Sequence, residues 1–178
     1  MNDPDDPDGN VLFTGRRFRV VRVEQQGADG AVHVREVVDH PGSVVVIPRT
    51  PEARVCLVEV FRAAVGKTLL EVPAGTLDRS ETPIEAAARE LAEETGYRAG
   101  RIVPLGSFWM SPGILRERMH LFVADHLVAG PQALEPGEDI RTREVPWDEA
   151  VAMCFDGRIE DAKSIAGILL EDRRHRSG

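Results

Sequence analysis

Apolar residues alternate with polar ones along much of the chain, which is the pattern of β-strands. Two such stretches, residues 17–25 and 31–39, flank the turn sequence Gly27-Ala28-Asp29-Gly30 and predict a β-hairpin. Val-rich and other β-forming runs predict six further strands, at residues 43–49, 54–61, 68–72, 106–110, 118–127 and 140–145.

One helix has clear signals at both ends. Thr82 is a good N-cap, Pro83 suits the first helical position, and Glu85 completes a Thr-x-x-Glu capping box. Gly96 is a natural stop at the other end. The sequence therefore predicts a helix over residues 83–95.

Two more helices, at residues 148–155 and 162–174, follow the last predicted strand. Strands followed by a few helices predict an α/β fold in which helices cover the faces of a mixed sheet. Residues 1–10 are acidic, contain Pro and Gly, and lack the basic start and apolar stretch of a signal peptide, so we expect a disordered tail. The expected domains are a β-arm at 11–45 and a main domain at 46–178.

Composition limits the partners of this chain. Its 178 residues are enough for one domain, and 42% hydrophobic and 29% charged residues are ordinary for a globular protein. A net charge of −8 argues against nucleic acid or an anionic membrane as partner. No apolar run approaches the ~20 residues that span a bilayer. Cys56 and Cys154 lie far apart in apolar runs, which predicts free thiols in a reducing compartment, the cytoplasm.

The predicted helix carries two different arcs. At about 100° per residue, the apolar arc contains Ile84, Ala87, Ala88, Leu91 and Thr95. Glu90, Glu93 and Glu94 form a second, acidic arc, and Ala86 in its middle leaves space for a close approach.

The acidic arc is unfavourable in an isolated helix. Glu90 and Glu94 are like charges at i, i+4, which costs about 0.2–0.5 kcal/mol, and the helix dipole disfavours anions in this half. A divalent cation would remove both penalties, and carboxylates without His or Cys suit Mg²⁺ or Mn²⁺ more than Zn²⁺. A solvated face is the alternative, since Glu85, Arg89 and Glu93 alternate in sign at i, i+4. It explains Glu90 and Glu94 poorly, because neither is expected to have a basic partner within the helix. The helix alone leaves both interpretations open.

The spacing around the helix is more specific. Gly75 is followed after five residues by Glu81, and after seven more by Arg89-Glu90-Leu91-Ala92-Glu93-Glu94-Thr95-Gly96-Tyr97. This pattern resembles the Nudix box, and only Tyr97 departs from it, at a position that is usually aliphatic. The resemblance implies a Nudix α/β/α sandwich, with the box as loop, helix and loop. It also implies hydrolysis of a nucleoside diphosphate linked to another moiety.

Shorter matches resemble the ADP-ribose pyrophosphatase branch of that family. Leu70-Glu71-Val72-Pro73-Ala74-Gly75 is similar to its Glu-Leu-Pro-Ala-Gly lead-in, and Val60-Phe61-Arg62 keeps the arginine of its Gln-Tyr-Arg. Arg35-Glu36-Val37-Val38 with the following His40-Pro41-Gly42 is similar to its N-terminal segment. Ser111-Pro112-Gly113 stands where the branch has a marker proline, and Glu117 where its loop glutamate falls. Relatives that act on other sugar nucleotides share several of these matches.

The resemblance implies roles for individual residues. Metal ions, Mg²⁺ or else Mn²⁺, would be held by Glu90, Glu94 and the carbonyl of Ala74, with Glu93 and Glu81 in support. Arg89 would orient these carboxylates, and Arg62 would bind a phosphate, because a planar guanidinium suits that geometry. The residues expected near the substrate are Arg35, Glu36, Pro112 and Gly113. Taken singly, these residues have simpler explanations: a turn for Pro112 and Gly113, a surface arginine for Arg62, and an exposed cross-strand pair for Arg35 and Glu36.

Two residues are candidates for the catalytic base. Glu117 is expected in a loop after the Ser-Pro-Gly turn, and Glu93 lies on the edge of the acidic arc. A third catalytic carboxylate, Glu94, would act through the metal. A surface carboxylate screened by Arg116 and Arg118 is the plain alternative for Glu117.

The resemblance implies that ADP-ribose would be cleaved to AMP and ribose 5-phosphate. It also implies a homodimer, in which the hairpin at residues 17–39 would pack on a second copy. The alternatives are a hydrolase of another nucleoside diphosphate sugar and a non-catalytic nucleotide sensor. The intact set of glutamates argues against the sensor.

Overall fold

The computed structural model describes residues 10–78 and 80–177. Within these residues the chain forms β1 (Val11–Thr14), β2 (Arg19–Gln26), β3 (Val32–Asp39), β4 (Ser43–Pro48), β5 (Arg54–Arg62), β6 (Lys67–Glu71), β7 (Ala74–Thr76), α1 (Pro83–Thr95), β8 (Tyr97–Ser111), β9 (Leu115–Ala129), β10 (Ile140–Pro146), α2 (Trp147–Asp156) and α3 (Ala162–Ser177). The predicted tail, apart from Asn10, lies outside the described residues. No helix in the described part of the chain is long and apolar enough to cross a membrane.

Two sheets make up the fold. Strand β9 organises the larger sheet, because it runs parallel to β3 and β4 on one side and antiparallel to β8 on the other. The hairpin β2–β3, with β1, extends this sheet on one side of β9, and β7 lies beyond β4. The smaller sheet is antiparallel, in the order β10-β5-β6. The larger sheet is therefore mixed, as predicted.

Strand β4 shows how the layers are stacked. It is buried on both faces, which explains its continuous Val-rich sequence. Val44 and Val46 pack with Leu91 of α1, whereas Val45 and Ile47 face a core that includes residues of β5, α2 and α3. The larger sheet thus lies between α1 and the smaller sheet.

The strand predictions were incomplete. Strands β1 and β7 were missed, and β8 and β9 each span 15 residues, far more than the predicted 106–110 and 118–127. Arg98 and Gly100 weaken the apolar alternation of β8, and its strand conformation comes from pairing with β9. Because β9 already begins at Leu115, Glu117 lies in a strand, and the prediction of a loop glutamate was wrong.

Helix α1 has the predicted bounds, Pro83–Thr95. The Thr82 amide donates to the Glu85 carboxylate at 2.8 Å, and Gly96 ends the helix with a left-handed φ of 75°.

The buried face of α1 differs from the predicted one. Ile84 and Ala88 of the predicted apolar arc are exposed, whereas Ala86 and Glu94 are buried. The acidic arc therefore faces the protein rather than solvent, because it packs against strand β7.

Candidate active site

The acidic arc of α1 meets the main chain of β7 at very short range. A side chain at position 75 would place its Cβ 1.8 Å from the Glu90 Oε1 atom and 1.9 Å from the carboxylate carbon. Only a glycine leaves room for this carboxylate, which explains the Gly75 of the motif in steric terms. Strand β7 is held in place by antiparallel pairing with β4, where Gly75 is opposite Val44.

Glu94 is the most deeply buried carboxylate of the arc, with 7% of its surface exposed. Its Oε2 atom accepts a hydrogen bond from the Ala74 amide at 3.1 Å. Burial raises the pKa of Glu94 to about 8, and repulsion from Glu90 adds to that rise. Burial likewise raises the pKa of Glu90. A cation between these two carboxylates would offset both costs.

Arg89 connects three of the glutamates. It makes two hydrogen bonds to Glu81, at 3.0 and 2.7 Å, one to Glu90 at 2.8 Å and one to Glu93 at 3.0 Å. The expectation that Glu90 lacks a basic partner within the helix was therefore wrong, because the neighbouring arginine turns back to it. Glu94 is not among the hydrogen-bonded partners of Arg89 in the described residues.

The donor chemistry of the site fits a hard divalent cation. No three His, Cys, Asp or Glu side chains converge as a preformed metal-binding group in the residues described. Glu81 and Glu93 instead turn towards Arg89. Glu90 and Glu94, however, are two carboxylates at adjacent positions on the β7 main chain, and carboxylate oxygens are the ligands that Mg²⁺ prefers.

Arg62 stands at the end of β5 in a bidentate ion pair. Its Nε and Nη2 atoms donate to Glu71 at 2.8 and 2.7 Å. The hydrogen bonds to Glu71 raise the pKa of Arg62, and the charge of Glu94 contributes to that rise, so the guanidinium lies within electrostatic reach of the acidic arc. Arg62 is thus a second cationic group, besides Arg89, near the acidic arc.

Three residues of this network escaped the sequence analysis as functional candidates. Glu71 is 1% exposed and is contacted by Lys163, which also pairs with Asp161 at 2.9 Å. A glutamate between Leu70 and Val72 was the available signal, because a charged residue in an apolar run needs a partner once it is buried.

Glu117 is placed by an irregularity in β9. The register with β8 leaves one extra residue in β9 between Leu115 and Arg118, which is a β-bulge. The Glu117 Oε1 atom accepts a hydrogen bond from Ser43 Oγ at 2.7 Å and lies 3.4 Å from His40 Nδ1.

The two arginines that flank Glu117 have other partners. Arg116 bonds to Asp39 and Arg118 to Ser107. The alternative of a surface carboxylate screened by these arginines therefore does not hold.

The other residues that were predicted to bind substrate lie on β3 and on the turn between β8 and β9, not on α1 or β7. Arg35 and Glu36 are exposed on β3, opposite Val23 and Arg22 of β2. Pro112 and Gly113 form the turn between β8 and β9, as predicted. In the described residues, none of the four is a hydrogen-bond or ion-pair partner of the α1 carboxylates.

Sequence reasoning also missed Glu138, in the loop between β9 and β10. The Ala133 amide of this loop donates to the Glu93 carbonyl, so the loop packs on the C-terminal end of α1. Beside the larger effect of burial, the charge of Glu138 helps to raise the pKa of both Glu90 and Glu94. No motif marks a loop carboxylate of this kind, so it could not be recognised from sequence.

An open cleft of about 720 Å³ lies between the hairpin and the box. The start of the hairpin contributes Arg16, Arg17 and Arg19, and the other side is formed in part by Thr76 and Asp78, which follow Gly75. Asp39 also lines the cleft and pairs with Arg19 at 3.0 Å, so arginines and an ion pair face the loop that leads into α1.

Comparison with known proteins identifies relatives of this chain. A model of the NUDIX domain matches residues 39–168. An ADP-ribose pyrophosphatase of Bacillus subtilis is 33% identical over 159 residues, which cover 88% of this chain and 86% of that protein. A GDP-mannose pyrophosphatase of Pectobacterium atrosepticum is 37% identical over 142 residues, which cover 74% of this chain and 73% of that protein. The crystal structure of an ADP compounds hydrolase matches the fold with a TM-score of 0.80 at 22% identity, covering 94% of this chain and 91% of that one.

The residues matched by the NUDIX model include α1 and the carboxylates around it. The chain belongs to the NUDIX family. The predicted family and the predicted mixed-sheet α/β architecture are thereby confirmed.

Proposed function

We propose that this protein hydrolyses the diphosphate bond of ADP-ribose in a reaction that requires Mg²⁺, giving AMP and ribose 5-phosphate. The observation that carries the proposal is the pair of carboxylates at the main chain of Ala74 and Gly75, the buried Glu94 and the half-buried Glu90. The similarity to an ADP-ribose pyrophosphatase over 88% of the chain supports the choice of substrate.

Glu90, Glu94 and the carbonyl of Ala74 would hold the metal, with Glu93 and Glu81 in support. Bound there, Mg²⁺ or Mn²⁺ supplies neutralisation of the diphosphate charge and a lowered pKa for an attacking water. Arg89 fixes the positions of Glu81, Glu90 and Glu93 through its four hydrogen bonds. The exposed part of the Arg62 guanidinium, beside the acidic arc, would donate hydrogen bonds to a phosphate oxygen.

A separate base has to accept the proton of the attacking water, because a carboxylate bound to metal is a poor acceptor. Glu117 and Glu93 were the candidates from the sequence. Glu117 already accepts a hydrogen bond from Ser43, and Glu93 one from Arg89. Glu138, whose Oε2 atom accepts a hydrogen bond from the Glu135 amide at 2.9 Å, is a third candidate, because its charge acts on both Glu90 and Glu94.

A second substrate class is favoured by one specific observation, the 37% identity to a GDP-mannose pyrophosphatase. The test is a panel of ADP-ribose, GDP-mannose and other nucleoside diphosphate sugars, with Mg²⁺ and with excess chelator. We expect Mg²⁺-dependent release of AMP, fastest from ADP-ribose. Faster turnover of GDP-mannose would establish the alternative, and no turnover of any compound would support a nucleotide sensor.

The arm at residues 11–45 would mediate a homodimer, with residues 46–178 forming the catalytic domain. Four large apolar side chains of β1 and β3 are exposed in the single chain: Leu12, Phe13, Val32 and Val34. Exposed apolar groups that share one surface are typical of a protein interface, and Val32 and Val34 share one face of β3. Two free thiols, Cys56 and Cys154, suit the cytoplasm as the compartment in which the enzyme acts.

A further inference from the structure

A row of alternating charges runs from the start of α3 to the active site. Lys163 lies 2.9 Å from Asp161 and also contacts Glu71, whose carboxylate receives two hydrogen bonds from Arg62. Arg62 in turn is within electrostatic reach of Glu94. A C-terminal helix is thereby connected to the one cationic group that we assign to a phosphate of the substrate.

Burial differs sharply along this row. Glu71 and Lys163 are buried, with 1% and 7% of their surfaces exposed, whereas 40% of the Arg62 side chain is exposed. A lysine is rarely buried unless its charge is paired, and breaking a buried pair leaves an uncompensated charge. The buried part of the row is therefore fixed, and only its Arg62 end is open to a ligand.

The balance of charges shows what Lys163 adds. Glu71 alone would neutralise Arg62, and a neutralised arginine attracts a diphosphate weakly. Burial by itself would raise the pKa of Glu71, but its bonds to Arg62 and Lys163 outweigh burial and lower that pKa, so the carboxylate is shared between two cations. With Lys163 present, Arg62 keeps part of its positive charge for a ligand.

We propose that Lys163 is a positioning residue for the phosphate-binding arginine. It holds the Glu71 carboxylate in place, so that Arg62 is aimed at the acidic arc, and it takes up part of the Glu71 charge, so that Arg62 remains cationic towards the substrate. This inference rests on the proposed function, because it assumes that Arg62 binds a diphosphate oxygen.

The same helix also supports the metal-binding strand. Ser164 Oγ accepts a hydrogen bond from the Val72 amide at 2.9 Å, two residues before Ala74. If the role of Lys163 were purely structural, its replacement would thus disturb the whole site. The role proposed here acts through Arg62 alone, and this difference can be measured.

The test uses binding of methylenediphosphonate, a diphosphate analogue that cannot be hydrolysed, measured by calorimetry with Mg²⁺. Arg62→Ala should weaken binding roughly 10- to 100-fold, the range for one charged hydrogen-bonding partner. Lys163→Met should weaken it roughly tenfold, as expected for a residue that supports a ligand-binding group. The double variant should bind no more weakly than Arg62→Ala, because Lys163 acts through Arg62.

Kinetics on the preferred diphosphate substrate provide a second measurement. Lys163→Met should raise KM by a similar factor and change kcat little, and Lys163→Arg should restore most of the affinity. Arg49→Met is the matched control, since Arg49 pairs with the buried Glu171 of the same helix at 2.9 Å, outside the site. It should lower stability without changing the analogue affinity. If Lys163→Met does not fold, Lys163→Gln, which keeps a polar group near Glu71, replaces it.

The proposal would be overturned if the losses of analogue affinity in the two single variants multiplied in the double variant. It would also be overturned if Arg49→Met lost as much analogue affinity as Lys163→Met. A wild-type protein that does not bind the analogue would overturn it as well. Failure of the proposed function is seen separately, as absence of hydrolysis across the substrate panel. A protein that binds the analogue in the predicted Lys163-dependent way but hydrolyses nothing would contradict the proposed function and retain the role of Lys163.

Discussion

Glu90 occupies the space that a side chain at position 75 would need, since an added Cβ would come within 1.8 Å of its Oε1 atom. We expect Gly75→Ala to push this carboxylate off the β7 main chain and to lower kcat/KM and Mg²⁺ affinity roughly 10- to 100-fold, the range for losing a residue that orients a metal ligand. Gly106→Ala is the control, because nothing lies within 4 Å of a Cβ there. Equal Mg²⁺ titrations for both variants would contradict the steric argument.

The carboxylates themselves should be more sensitive than the glycine. Glu90→Gln and Glu94→Gln each keep the shape of the side chain and remove its charge, so we expect turnover to fall roughly 10²- to 10³-fold, the scale for one electrostatic stabiliser. Rates should be measured at saturating Mg²⁺ and again in excess chelator. Full activity of both variants, or of the wild type without divalent ions, is incompatible with the metal assignment.

Local sequence signals explain why both ends of α1 were predicted correctly. Thr82, Pro83 and Gly96 act on the backbone beside them, and their effect needs no distant contact. Local signals could not predict which face of α1 is buried. That face depends on Gly75, which belongs to another element and lets the carboxylate of Glu90 approach.

Other parts of the site also depend on contacts distant in sequence. Strand β7 has three residues, too few for a periodic pattern, and exists because β4 pairs with it. The Glu71–Lys163 pair joins positions 92 residues apart. Glu138 is a loop residue whose role follows only from where the loop packs. The acidic motif on α1 was therefore predictable from sequence, and the distant residues that pack around it were not.

The general base can be identified by comparing three variants. We expect Glu138→Gln to lower kcat by about 10²–10⁴, the usual contribution of a general base, with little change in substrate binding. Glu117→Gln should have a smaller effect, since Glu117 lies in a β-strand where its carboxylate contacts Ser43 and His40. A large loss of kcat in Glu117→Gln or in Glu93→Gln, with Glu138→Gln active, would transfer the role to that residue.

Acid should weaken the fold through Glu71. Its pKa in the folded protein is below the value of an unfolded chain, so the stabilisation is fully present above the unfolded pKa, about 4.3. It is lost as the pH falls through the lower, folded pKa. Urea unfolding of the wild type should therefore show a fall in the free energy of unfolding below about pH 4.

Glu71→Gln isolates this contribution. At pH 7 it should cost roughly 3–5 kcal/mol, because it leaves Lys163 as a buried charge without its main partner. The difference between wild type and variant should shrink as the pH drops. A difference that is constant from pH 7 to pH 3 would show that the Glu71 charge does not stabilise the fold.

The exposed apolar residues of the arm predict how the protein assembles. Val32 and Val34 lie two residues apart on β3 and are both exposed, so they share one face of the hairpin. A hairpin with an uncovered apolar face is marginal in water, and a second copy would cover it. Sedimentation should show a wild-type dimer and a predominantly monomeric Val32→Glu/Val34→Glu variant with reduced activity. Val128→Glu, at an equally exposed valine of β9, should remain dimeric. A fully active wild-type monomer would contradict the prediction that the arm mediates a dimer and contributes to activity.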